Sequence, residues 1–122
     1  MNDTVSKMNK TSLILILSIL ACVGCFQKKP HGTYSGRVGT GTLYLEVKYD
    51  FMENGDTLFS ANSRSSLLLA RGRWEFEGNN ILFTGTILQP ENKKGQEVKH
   101  RLAFDGDDLF NKKLRIRLQH QN

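Results

Sequence analysis

The stretch Ala70 to Ile87, A-R-G-R-W-E-F-E-G-N-N-I-L-F-T-G-T-I, reads as two strands folded about Gly78-Asn79. Gly and Asn side by side tolerate the backbone angles that a two-residue hairpin loop demands. Taking them as that loop sets Phe76 opposite Ile81, Trp74 opposite Phe83, Gly72 opposite Gly85 and Ala70 opposite Ile87. Every large side chain on this face is apolar. The other face sets Arg71, Arg73, Glu75 and Glu77 against Thr86, Thr84, Leu82 and Asn80. A period of two with one greasy and one wet face is the pattern of a half-buried strand. Turn chemistry and face chemistry thus agree on a single register. Trp74, the bulkiest side chain of the hairpin, is expected in the core.

The same alternation runs outward in both directions. From Thr42 to Phe51, Leu43, Leu45, Val47, Tyr49 and Phe51 alternate with Tyr44, Glu46, Lys48 and Asp50, and Asn54-Gly55 supplies a turn. A three-residue loop here predicts Phe51 opposite Phe59, Tyr49 opposite Ala61 and Leu43 opposite Leu67, which keeps apolar partners together. After a polar loop from Leu88 to Gly95, Val98, His100, Leu102 and Phe104 alternate with Lys99, Arg101, Ala103 and Asp105. A turn at Asp105-Gly106-Asp107-Asp108 leads to the short strand Leu109-Phe110, and Leu114, Ile116 and Leu118 then alternate with Arg115, Arg117 and Gln119. With Gly32 to Val38 in front, about seven or eight strands follow one another through short turns, with no helix of ordinary length between them. The reading is all-β, a small antiparallel meander that hides its edges by closing into a barrel.

Ahead of these strands, T-S-L-I-L-I-L-S-I-L-A-C-V-G-C-F spans Thr11 to Phe26 without a charge, just behind Lys7 and Lys10. A basic start, an apolar segment and a small residue before a cut form the layout of a secretory signal. Sixteen residues fall short of the roughly twenty that span a bilayer, so export is expected and not a permanent transmembrane helix. The run resembles a bacterial lipoprotein signal, in which a cysteine after a small residue becomes lipidated. Ile19-Leu20-Ala21 before Cys22 fits that pattern; Cys22-Val23-Gly24 before Cys25 fits it less well and makes Cys25 the alternative. The expected organisation is a signal over 1–21, a lipidated cysteine and tether over 22–31, and one β domain over 32–122.

The 122 residues carry 17 Lys and Arg against 12 Asp and Glu, a formal charge of +5. Loss of residues 1–21 removes Lys7, Lys10 and Asp3 and leaves 15 against 11, or +4. So mild an excess fits solubility beside an anionic membrane better than nucleic-acid binding, which export also disfavours. Both cysteines lie in the signal region, so no disulfide is expected in the folded part. Their Cys-x-x-Cys spacing lacks the βα turn that a redox site uses to lower a thiol pKa.

Gly32-Thr33-Tyr34, a hairpin ending in Asn-Gly-Asp, Gly72-Arg73-Trp74-Glu75, Gly78-Asn79-Asn80-Ile81 and a late Asp-Gly-Asp together resemble the small lipocalin-like (calycin-like) domains of bacterial lipoproteins. The similarity spans Gly32 to Leu118. It implies a lipocalin-like barrel at the cell envelope, in the outer membrane if the cell is Gram-negative. It is also similar to the N-terminal barrel of copper-resistance and envelope-stress sensor lipoproteins. That family's Cys-x-x-Cys lies within its barrel, and none lies within this one.

Catalytic chemistry finds little footing. His31, His100 and His120 are far apart, and Asp105, Asp107 and Asp108 lack the oxygen set and closing Glu of a calcium loop. His100, on an apolar face, is expected to be hydrogen-bonded or at a rim. Ser60, Ser63, Ser65 and Ser66 have no neighbouring His in sequence, and Glu75 and Glu77 are explained by cross-strand pairing with Arg71 and Arg73. No enzyme activity, cofactor or metal is expected. The leading expectation is a non-catalytic envelope lipoprotein whose barrel binds a small apolar ligand or a protein partner. An inhibitor of a cell-wall or host hydrolase is the alternative, marked by a loop protruding from one rim, and a structural or assembly lipoprotein the second. The candidate ligand-lining residues are Gly72, Trp74, Phe83, Gly85 and Tyr49, with the paired glycines leaving inner wall bare. The competing reading is that those glycines only let the sheet coil tightly.

Overall fold

A computed structural model describes residues 28–121; the expected signal and its two cysteines, Cys22 and Cys25, lie outside the described residues. Eight strands follow in order: β1 (Gly32–Thr40), β2 (Leu43–Phe51), β3 (Asp56–Asn62), β4 (Leu67–Glu77), β5 (Asn80–Gln89), β6 (Glu97–Phe104), β7 (Leu109–Asn111) and β8 (Ile116–Gln121). Each pairs antiparallel with the next, and β8 returns to β1 through Tyr34–His120, so the sheet closes into a barrel as the alternation predicts. The one helical piece among the described residues is a 3₁₀ turn, Glu91–Lys93, between β5 and β6.

The β4–β5 hairpin has the register read from its turn: Phe76 faces Ile81, Trp74 Phe83, Gly72 Gly85 and Ala70 Ile87. The β2–β3 register is two residues away from the expected one, with Phe51 opposite Thr57 and Tyr49 opposite Phe59. The cause is the turn. Gly55 N–H donates to Met52 O at 3.1 Å, Gly55 takes φ +92°, and Met52 N–H donates to Asp56 O at 2.9 Å. A turn followed by a left-handed glycine makes Glu53, Asn54 and Gly55 the three-residue loop, with Asp56 already in β3. A slip of two keeps every side chain on its expected face.

The inner face is packed by residues from all eight strands, with Tyr34, Val47, Tyr49, Phe51, Phe83, Leu102 and Leu118 all buried. Three expectations about it need correcting. Trp74 is half-buried, its ring edge-on to Phe51 and Phe76 at 6.2 and 5.1 Å, because it sits near one end of the barrel. Leu43 heads β2 at a hairpin tip and is exposed, although its parity points inward. Leu114 precedes β8, in a turn where Arg115 takes φ 55°, and is exposed too.

An up-and-down meander sends its connections alternately to two ends. The near end holds the turns 52–55, 78–79 and 105–108 and both ends of the described chain; the far end holds 41–42, 63–66, 90–96 and 112–115. Residues 28–31, read as the end of a tether, rest on the near end. Pro30 is buried, the His31 ring stacks on His120 at 5.0 Å, and Lys28 Nζ lies 3.4 Å from an Asp107 carboxylate oxygen.

Candidate functional site

The strand pattern brings three polar side chains into the barrel from β2, β6 and β7. Tyr49 Oη lies 2.8 Å from His100 Nδ1, and Asn111 Nδ2 donates to Tyr49 Oη at 3.3 Å. Asn111 Oδ1 accepts the Leu114 N–H at 3.1 Å, which fixes the amide so that its NH₂ faces the tyrosine. The Tyr49 hydroxyl accepts from Asn111 and keeps its own proton available for His100 Nδ1 when that nitrogen is bare. Burial among Tyr49, Phe59 and Phe83 lowers the His100 pKa, and the nearby Lys113 charge lowers it further. Burial also raises the Tyr49 pKa, so its phenol stays protonated.

His100 and Asn111 of this triad stand on one wall of a cavity of about 590 Å³. Its apolar lining comes from Leu45, Phe59, Ala61, Leu68 and Val98, with His100 and Asn111 beside them. The space has two causes in the sequence. Ala61 pairs with Leu68 across β3–β4, so a small residue stands where the wall could have been filled. And β7 is three residues long: it pairs with β6 only at Ala103 and Phe104, so the earlier part of β6, from Glu97 to Leu102, is bonded to β5 alone. A slot remains between β6 and the turn after Asn111, edged by Lys99, Arg101, Lys112 and Lys113. Arg101 is tied to Glu77 at 2.9 Å and Lys99 lies 3.8 Å from Glu97, whereas Lys112 and Lys113 form no ion pair among the described residues.

Charge is polarised along the barrel. The far-end connections carry Arg64, Lys93, Lys94, Lys112, Lys113 and Arg115 against Glu91 alone. The near-end turns carry Glu53, Asp105, Asp107 and Asp108 and no cation. In the last of them Asp105 Oδ1 accepts the N–H groups of Asp107 and Asp108 at 2.9 and 2.8 Å, which holds its carboxyl below its ordinary pKa. The sequence displays these charges as scattered pairs, and closure of the meander sorts them by end.

None of the five candidate lining residues bounds the cavity. Gly72 and Gly85 face each other as expected, yet the bare wall is occupied. A Cβ on Gly72 would lie 1.9 Å from Thr84 O and 2.4 Å from the Gly85 Cα, and one on Gly85 would lie 2.6 Å from Phe83 Cζ. The glycines serve close strand approach. Phe83 covers the gap, Tyr49 is buried and touches the cavity only through His100, and Trp74 sits toward the near end. Parity on the strands reached His100 as a bonded inner residue, but Asn111 and the slot escaped it, since both follow from where β7 stops.

Among the described residues no three His, Cys, Asp or Glu side chains gather as metal ligands would, and no helix is long and apolar enough to cross a membrane. Compared with known proteins, the chain matches no family model, no curated protein and no solved structure.

Proposed function

We propose that this is a non-catalytic binding protein of the bacterial envelope, anchored by lipid at Cys22, whose barrel holds a slim apolar ligand in the far-end cavity. The observation that carries the reading is the cavity itself: apolar on its inner walls and roomy enough for a small molecule. The Tyr49–His100–Asn111 chain satisfies its own polar atoms, so it presents little unmet hydrogen-bonding demand to an apolar guest. Lys112 and Lys113 at the slot suit a ligand whose exposed end is polar or anionic.

The full chain incubated with a photoreactive alkyl diazirine and digested should carry label on the peptides holding Ala61–Leu68 and Val98. Ala61→Trp, which fills the cavity, should abolish it. Label spread evenly over the barrel, or unchanged in Ala61→Trp, would sink the ligand reading. The anchor is tested separately: metabolic palmitate labelling should vanish in Cys22→Ala and survive in Cys25→Ala, and the reverse would make Cys25 the anchor.

The hydrolase-inhibitor reading keeps one observation, the β1–β2 hairpin, exposed at every residue from Arg37 to Leu43. A stoichiometric enzyme complex lost on Leu43→Ser would favour it over the lumenal ligand.

A further inference from the structure

We infer that the far end of the barrel is a docking face for an anionic lipid surface. The inference goes beyond the cavity reading; it shares with the cavity only Lys112, Lys113 and Leu114, which stand at the slot's outer edge. Six large hydrophobic side chains of the described chain are exposed, and five of them belong to the far end: Val38, Leu43, Leu67, Leu88 and Leu114, at 43, 84, 42, 37 and 38%. They come from the β1–β2 hairpin, the start of β4, the end of β5 and the turn before β8, connections distant in sequence that the meander delivers to one rim. Only Met52 stands at the near end. Scattered single apolar residues are ordinary on a protein surface, but five on one rim are a face.

The charges select the partner. The same rim carries six loop cations against one carboxylate, whereas the opposite end sets four turn carboxylates against Lys28 and Lys29. Aliphatic tips that enter the headgroup boundary, with Lys and Arg among them to meet anionic headgroups, are the pattern of interfacial membrane binding. At the near end Lys28 and Lys29 offset two of the four turn carboxylates, so the rim is the end that an anionic surface attracts more strongly. A protein-binding hot spot draws on Trp, Tyr and Arg, and of these the far-end connections supply only Arg64 and Arg115. The far-end connections 41–42, 63–66, 90–96 and 112–115 contain no aromatic residue, and the nearest exposed-strand aromatic, Tyr44, is capped by the Arg37 guanidinium at 4.0 Å. The described chain begins and ends at the near end, so the rim contact is separate from any attachment that precedes residue 28.

The test must see the rim, because the apolar run before residue 28 can itself enter vesicles of any charge. The parent chain has one tryptophan, Trp74, toward the near end; Leu43→Trp adds a second at the rim, on a side chain so exposed that the core is untouched. Full-length protein is mixed with brominated vesicles of phosphatidylcholine, alone or with phosphatidylglycerol. The emission added by Leu43→Trp should be quenched only when phosphatidylglycerol is present, Trp74 of the parent should be quenched no more with phosphatidylglycerol than without it, and added salt should reverse the effect at the rim. Replacing both Lys112 and Lys113 by Gln should lower the quenching-derived partition by about 25-fold, at roughly fivefold per charge. Equal quenching on neutral vesicles overturns the inference, as does quenching of Trp74 and the rim alike. A rim emission that shifts to the blue without lipid, accompanied by a dimer on sedimentation, would assign the face to a second copy instead.

Discussion

Tyr49 Oη and His100 Nδ1 share a hydrogen bond of 2.8 Å across 51 positions of sequence, so two strands that never pair are joined through the barrel interior. Burial, with the Lys113 charge beside it, holds the His100 pKa below its ordinary 6.5. Between 6.5 and that lower value the unfolded chain binds more protons than the folded one, so stability is full above about pH 6.5 and falls as pH drops through the window. Thermal midpoints from pH 7 to 5 should fall more steeply in the parent than in His100→Gln. An NMR titration of His100 with a midpoint above 6.5 would refute the argument.

Tyr49→Phe removes the hydroxyl that two buried groups share, leaving His100 Nδ1 and Asn111 Nδ2 unmatched. The expected cost is about 1–3 kcal/mol by chemical denaturation. Burial and the Lys113 charge, which lower the His100 pKa, are untouched by the change, so that pKa should stay below its ordinary value. A midpoint unchanged from the parent would mean that the bond contributes nothing net.

The β4–β5 hairpin was legible to the residue because a two-residue loop leaves no choice of register once its two positions are known. At β2–β3 the faces were legible and the partners were not, since Asn54-Gly55 fits several loops and only the left-handed Gly55 with its bond to Met52 selects one. The site was harder still. His100 announces itself as a polar residue on an apolar face, but its partners Tyr49 and Asn111 are brought to it by barrel closure, which no local pattern encodes. The cavity depends on a strand that stops at Asn111, and nothing in the alternation before that residue marks the stop.

Thr57 is fully buried, and its Oγ1 is the one buried side-chain polar atom among the described residues with no hydrogen-bond partner. Valine has the same shape without the hydroxyl. Thr57→Val should therefore stabilise the barrel by about 1 kcal/mol, seen as a thermal midpoint raised by roughly 4–8 °C. A lowered midpoint would mean that the hydroxyl is satisfied in solution, for which a bound water is the available partner.

Gly72 and Gly85 look equivalent as a cross-strand pair, and the structure makes them unequal. Neither has a positive φ, so what each supplies is space and not an unusual backbone conformation. At Gly72 the obstacles to a Cβ are main-chain atoms of the neighbouring strand, Thr84 O at 1.9 Å and the Gly85 Cα at 2.4 Å, which can yield only if β4 and β5 separate. At Gly85 the nearest obstacle is Phe83 Cζ at 2.6 Å, the far end of a ring, with Arg71 O behind it at 3.0 Å. Ring displacement is the smaller demand. Gly72→Ala should accordingly cost about 3 kcal/mol or more, a large share of what a domain of this size has, while Gly85→Ala should cost about 1–3 kcal/mol. The displaced Phe83 ring would press on Phe59 and His100, 6.2 and 5.5 Å away between ring centres, and both of these line the cavity. A folded Gly85→Ala should then bind the alkyl diazirine less well than the parent while keeping its label on the same peptides. Equal costs for the two alanines, measured by urea unfolding, would show that the strands give way at both positions alike.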